Sequence, residues 1–256
     1  MMGQANNAAI IITGAASGLG AAFLSHYATV DPSRPIIAID QAPIILPPHL
    51  EKSTAIRTLT LDVTDTASLA SFSSEIVGVP VLFLIHCAGI RGLVQEIVRS
   101  NSGDVAAAEM LEVMDAATMM KTFQINCLGT FNIIRTLIPN LLNYNSDRAA
   151  NAPPPRCIIM GSRMGSVGAN VAGGGYAYRA SKAALNAVIK SFSLDVTEVI
   201  FTIIHPGRVE TGLVAWKEDG AISTEESVRD CVKLFDAFGP AYSGKFLDRF
   251  GEPIVW

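Results

Sequence analysis

TGAASGLG, Thr13–Gly20, follows directly on the apolar run of residues 8–12 and ends where a helical pattern begins. Three glycines in eight positions at a strand-to-helix junction leave the backbone bare. A helix N-terminus offers unpaired N–H groups and partial positive charge, which suits a phosphate. Gly14 permits a tight turn, Gly18 lets the backbone approach phosphates, and Gly20 lets the helix pack close to the sheet. The stretch therefore predicts the first turn of a dinucleotide-binding α/β sheet.

Working outward, short apolar runs alternate with longer helical patterns. Strands are expected at 8–13, 35–40, 55–62, 81–86, 156–162, 199–205 and 244–248, and helices near 18–29, 66–77, 117–142, 176–197 and 224–237. Near-continuous Ile, Val and Leu marks strands covered on both faces. The alternation predicts one Rossmann-type, doubly wound parallel sheet of about seven strands with helices on both faces, in a single domain spanning 1–256. The three prolines in 41–54 argue against a full crossover helix there. Residues 91–116 form an unusually long connection and are a candidate added helix or lid.

Asp40 closes the second expected strand, twenty residues after Gly20. A carboxylate there accepts from the adenosine ribose hydroxyls and repels a 2′-phosphate, which favours NAD over NADP. Arg34, just before the same strand, lies roughly 16 Å from its far end at about 3.3 Å per residue and is badly placed to hold such a phosphate. Tyr178 and Lys182 in YAYRASKAALN (176–186) are four apart and share a helix face. Moving hydride at a carbonyl carbon requires a proton at its oxygen. A free phenol, with a pKa of about 10, is a poor base near neutrality, and a neighbouring ammonium lowers that value. Ser162, at the end of its strand, can donate to a substrate oxygen.

TGAASGLG, LDVTD (61–65), HCAGI (86–90), FQINCLGT (123–130), IIMGSRMGS (158–166), YRASKAALN (178–186) and HPGRVET (205–211) occur in the order of the short-chain dehydrogenase/reductase family, which the chain resembles over nearly its whole length. The likeness is greatest to the carbonyl-reductase-like branch that includes a bacterial developmental signalling protein. The resemblance implies an oxidoreductase interconverting an alcohol and a carbonyl. Tyr178 would be the general acid/base. Lys182 would bind the nicotinamide ribose and tune the phenol, and Ser162, with Ser166 as fallback, would polarise the substrate oxygen. Asn126 would hold a water linking Lys182 to solvent. Ser17 and Leu19 would join the glycines of the first turn on the cofactor, Asp62 and Val63 would contact the adenine, and Ala88 and Gly89 would let the cofactor cross the sheet. Pro206, Gly207, Val209 and Thr211 would border the nicotinamide. His86-Cys87 replaces the family's Asn-Asn, so His86 stands in for a polar contact. The branch tends to NADP, in conflict with Asp40. A signalling or scaffold protein that keeps the cofactor site, and a non-redox isomerase or cyclase, are the competing uses of the same motifs.

The composition narrows the partners. Half of the 256 residues are hydrophobic, 16% are charged, and the net charge is −4, with no basic tract for nucleic acid. Cys87, Cys127, Cys157 and Cys231 are too far apart for a Cys-x-x-Cys site and read as small buried side chains. No metal site is expected. Apolar stretches are too short for a membrane span, and the first fourteen residues lack a signal-peptide pattern, so the expected location is the cytoplasm. Met164, Val167 and Leu213 suggest an apolar small-molecule substrate, with Trp216 a candidate lid. The family likeness implies a homodimer or homotetramer packed through 117–142 and 176–197.

Overall fold

The computed structural model describes residues 8–100, 104–214 and 219–256. Seven strands form one all-parallel sheet: β1 (Ala9–Thr13), β2 (Ile36–Asp40), β3 (Ile56–Thr60), β4 (Val81–His86), β5 (Arg156–Met160), β6 (Ile200–His205) and β7 (Lys245–Asp248), in the order β3-β2-β1-β4-β5-β6-β7. Each differs from its sequence expectation by at most two residues at either end. β1, β4 and β5 are buried almost throughout, as their Ile-rich sequences require, whereas β3 at the sheet edge exposes Arg57, Thr58 and Thr60.

The period-2 alternation of these strands supplies two cores. Ile11, Leu84 and Ile159 face helices α5 (Thr130–Asp147) and α6 (Tyr176–Asp195), where Leu137, Leu185 and Ile189 meet them. Ile10, Ile12 and Ile158 face the other way, onto α1 (Gly18–Val30) and α7 (Thr224–Phe235) through Phe23, Leu24 and Phe235. Each such side chain, fully buried, contributes about 1.5–3 kcal/mol relative to exposure. The remaining α-helices among the described residues are α2 (Thr66–Glu75), α3 (Gln95–Ser100) and α4 (Ala116–Phe123).

Two connections depart from regular structure. No helix bridges β2 and β3 across the prolines of 41–54, in line with the sequence. The helix expected over 117–142 is instead α4 and α5 joined by a π-helical turn, Gln124–Gly129, and α5 continues to Asp147 with Pro139 inside it. One wide turn shifts the helical phase and carries Asn126 fully inward. Among the described residues, no helix is long and apolar enough to cross a membrane.

Candidate active site

In this strand order the direction of winding reverses between β1 and β4, and ligands of such sheets bind outside the carboxyl ends of the strands at that point. A cleft of about 900 Å³ opens there. Its floor is the Gly-rich turn. Gly14 has φ +68°, and a Cβ on it would stand 2.8 Å from the Ala88 nitrogen; a Cβ on Gly20 would collide with the Gly14 carbonyl. Both positions therefore require glycine: one for its left-handed backbone, the other so that α1 can close on the turn. Ser17, the N-cap of α1, makes no side-chain capping bond, and the first turn of α1 carries no acidic residue. By contrast α2, α4 and α7 are capped by Asp65, Asp115 and Ser223. The uncapped N-terminus facing the cleft fits an anionic group.

The switch point is knit by a buried imidazole. Thr130 Oγ1 donates to the Asn126 carbonyl at 2.8 Å, so it accepts from His86 Nε2, also at 2.8 Å. That assigns the Nε2–H tautomer, and Thr13 Oγ1 donates to His86 Nδ1 at 2.8 Å. Thr13 Oγ1 in turn accepts from the Cys87 and Ala88 nitrogens, both at 3.2 Å. Burial, aided by the Lys182 charge, pushes the His86 pKa down to about 3, so the ring is neutral. His86 thus ties β1, β4 and α5 together behind the cleft rather than facing it.

All sixteen residues assigned to the cofactor from sequence line this one cleft: Gly14, Ser17, Gly18, Leu19 and Gly20 of the first turn; Asp40, Asp62 and Val63 after β2 and β3; Ala88 and Gly89 after β4; Tyr178 and Lys182 on α6; and Pro206, Gly207, Val209 and Thr211 after β6. Asp40 Oδ2 accepts from the Ala16 nitrogen and Oδ1 from the Ala42 nitrogen, both at 2.9 Å. It braces the Gly-rich turn as well as facing the cleft. The residues that the ends of β2 and β3 give to the lining are Ile39, Asp40, Gln41, Leu61, Asp62 and Val63, two carboxylates and no cation. Arg34 is far from them, bonded to Asp31 at 3.0 Å and to the Ala8 carbonyl at 3.3 Å.

At the other end stand Ser162, Tyr178 and Lys182. Ser162 lines the cleft and accepts from the Met164 nitrogen at 3.2 Å; among the described residues no acceptor takes its proton. Ser166 is buried outside the lining, accepting from the Ala169 nitrogen at 3.0 Å. Of the two serines, only Ser162 lies in the cleft. The Lys182 ammonium donates to the Met160 carbonyl at 3.0 Å and lies 5.7 Å from the centre of the Tyr178 ring. Burial lowers its pKa to about 8, against a smaller opposing effect of Cys87, and it remains mostly charged near neutrality. Asn126 does not line the cleft. Its carboxamide donates to the Ile90 carbonyl at 2.9 Å and to Ser181 Oγ at 3.0 Å, and accepts from the Ile90 nitrogen at 2.8 Å. A Cβ on Gly89 would stand 3.0 Å from Asn126 Oδ1 and 3.8 Å from Lys182 Nζ, so the bare glycine leaves a space bordered by both.

The long connection after β4 brings one pair the sequence reading did not single out. Arg91 Nε and Nη2 donate to Glu109 Oε2 and Oε1, each at 2.9 Å, and its guanidinium carbon lies 4.9 Å from the centre of the Tyr178 ring. Residues 215–218, with Trp216, lie outside the described residues.

An α/β sheet whose switch-point cleft carries a bare-backbone turn at one end and a tyrosine–lysine helix at the other defines the class of doubly wound dinucleotide-binding proteins. Comparison with known proteins narrows the class. The family model described as short chain dehydrogenase matches residues 8–221, and the chain belongs to that family of oxidoreductases. It is 34% identical over 190 residues to C-signal of Myxococcus xanthus, covering 73% of this chain and all of the relative. It is 29% identical over 202 residues to 1-hydroxy-2-glutathionyl-2-methyl-3-butene dehydrogenase of a Rhodococcus species, with 77% and 78% covered. Among solved structures it superposes on NADPH-bound carbonyl reductase from chicken fatty liver with a TM-score of 0.81 at 22% identity, covering 97% of this chain and 94% of that one. For carbonyl reductase Sniffer of D. melanogaster the TM-score is 0.80 at 22% identity, covering 98% and 99%. At those identities the likeness to the solved structures shows a shared fold.

Proposed function

We propose that the protein interconverts a small-molecule alcohol and its carbonyl, using NAD, with Tyr178 as the group that moves the proton and with cofactor and substrate sites in one domain. The observation that carries this reading is the convergence of Ser162, Tyr178 and Lys182 on the same cleft as the uncapped N-terminus of α1. When bound, the nicotinamide supplies hydride or takes it up. The chain's own residues do the rest. Ser162 donates its free proton to the substrate oxygen and fixes its position. Tyr178 takes the hydroxyl proton on oxidation and returns it on reduction. The Lys182 ammonium favours the phenolate electrostatically, while its bond to Met160 anchors it. The space beside Gly89 is suited to a water that passes protons from Lys182 outward past Asn126.

Asp40 supports NAD. Its carboxylate, with Asp62 also in the lining and no arginine or lysine from the ends of β2 and β3, opposes a 2′-phosphate through like charge. The carbonyl reductase from chicken liver is NADPH-bound, so cofactor choice is the point at which this chain would part from that neighbour. Met164 and Leu213 in the lining favour a substrate with an apolar portion. Exposed Leu128 and Leu194 on the α4–α5 and α6 surface favour self-association there.

The name C-signal favours one other reading, a protein that binds the cofactor and signals without turnover. Fluorescence titration with NADH and NADPH, followed by a carbonyl and alcohol panel with deuterated cofactor, separates the two. Deuterium entering the product supports redox chemistry; tight NADH binding with no transfer on any substrate supports the binding protein.

A further inference from the structure

We propose that Arg91, oriented by Glu109, is a positioning residue that, together with Lys182, stabilises the phenolate form of Tyr178. This rests on the reading of Tyr178 as the proton-transfer group.

Arg91 leaves the sheet two residues after Gly89, and its guanidinium lies over the Tyr178 ring, 4.9 Å from its centre. Stacking of a planar cation on the ring face holds the ring, and the positive charge favours the anionic phenolate. The side chain cannot wander. Glu109 grips it through two parallel 2.9 Å bonds, and both side chains are largely shielded from water, 14% and 10% exposed. Bidentate pairs of this kind fix orientation as well as charge. The Glu109 carbonyl accepts from the Gly175 nitrogen at 3.0 Å, and Gly175 is the N-cap of α6, three residues before Tyr178. The connection between β4 and α4 is therefore fastened to the helix that carries the tyrosine. Its own fold is held by the Val94 nitrogen donating to the Ala108 carbonyl at 3.0 Å and by the small cluster of Leu93, Val105 and Ala108.

The electrostatic surroundings leave this pair room to act. From α6, Lys182 is the other cation; Arg179 turns to the Gly173 and Gly174 carbonyls at 3.2 and 3.0 Å. From the end of β4, His86 is neutral, and burial pushes the Cys87 thiol up, so it is neutral too. From the turn after β5, Arg163 lies in the lining, and burial with Arg163 lowers His205 of β6 to about 4, again neutral. Glu109 is the carboxylate paired with Arg91. It offsets part of the Arg91 charge while fixing where that charge sits.

Three variants test the assignment: Arg91→Met, Arg91→Lys and Glu109→Gln. Each is measured for the pH dependence of alcohol oxidation. Each is also measured without cofactor or substrate, by ultraviolet titration of tyrosinate, taking the Tyr178 component as the difference from the same protein with Tyr178→Phe. Losing the cation should move the phenolate limb upward by about one pH unit, and losing the offsetting carboxylate should move it downward. Arg91→Lys keeps the charge and should leave the limb near wild type while raising KM or lowering kcat through looser positioning. A merely structural staple predicts that breaking the pair from either side acts alike. Shifts of opposite sign therefore support the proposal; shifts of one sign, or none, overturn it. Should Arg91→Met fail to fold, Glu109→Gln decides alone: a downward shift supports, and an unmoved or upward one overturns. If Tyr178→Phe keeps wild-type turnover, the functional reading fails, and the tyrosinate titration still decides the electrostatic one.

Discussion

The ammonium of Lys182 stands 5.7 Å from the centre of the Tyr178 ring and is held there by the Met160 carbonyl at 3.0 Å. The helical spacing of four brings the two residues to one face, and the end of β5 fixes the lysine's reach. The charge is buried, so its field on the phenol is little screened. Lys182→Met should lower kcat by about 10²-fold or more, because the phenolate loses its nearest helical cation. Lys182→Arg keeps a charge but not the compact shape that reaches Met160, and should recover only part of the rate. Steady-state kinetics at saturating cofactor checks both.

Asp40 braces the Gly-rich turn and, on the proposed reading, selects NAD; one variant separates the two. Asp40→Asn keeps an oxygen for the Ala16 nitrogen at near-identical shape but removes the charge. NADH binding should weaken modestly, and the NADH-to-NADPH affinity ratio should fall by about tenfold, equivalent to about 1.4 kcal/mol. Parallel fluorescence titrations with the two coenzymes measure it. A ratio unchanged in the variant would remove Asp40 from cofactor choice.

His86 makes the fold sensitive to acid. Its pKa is about 3 folded against 6.5 as a free side chain, so between those values the unfolded chain binds the extra proton and the folded one does not. Stability is then intact above about pH 6.5 and falls as pH drops, by about 1.4 kcal/mol per unit, until the folded-state pKa is reached. His205, lowered to about 4, adds a loss of the same sign over a shorter window. Urea unfolding at pH 7 and pH 5 should show the difference. A glutamine at position 86 should reduce the pH dependence, even though it weakens the protein at pH 7.

Phe235 is fully buried among Phe23, Phe83 and Phe238, with ring centres 5.8 to 6.2 Å away. Phe235→Ala should cost about 3–5 kcal/mol, read from denaturant midpoints. The site lies at the carboxyl ends of the strands and this cluster beneath α1 and α7. NADH affinity of the protein that remains folded should therefore change far less than stability.

How much of this was legible beforehand depends on how local the determinant is. Buried parallel strands write themselves as apolar runs, and Thr13–Gly20 carries its turn in the glycines, so the sheet and one end of the cleft can be read directly. Tyr178 and Lys182 are related by helical periodicity, which sequence spacing also reports. The break between α4 and α5 is different. A π-helical turn changes the phase without changing composition, and nothing in QINCLG marks it. Arg91 and Glu109 lie eighteen residues apart, on either side of α3, with no period to betray them. The bond from Ala16 to Asp40 was hidden for the same reason: it depends on the backbone path of the turn, not on residue type.

On the proposed mechanism the Tyr178 hydroxyl carries the proton. Tyr178→Phe removes one oxygen and leaves the ring under Arg91 and beside Lys182. NADH binding should stay within a few-fold of wild type, and alcohol oxidation should fall by about 10²-fold or more at every pH. Oxidation at the wild-type rate in a variant confirmed to bind NADH would contradict it.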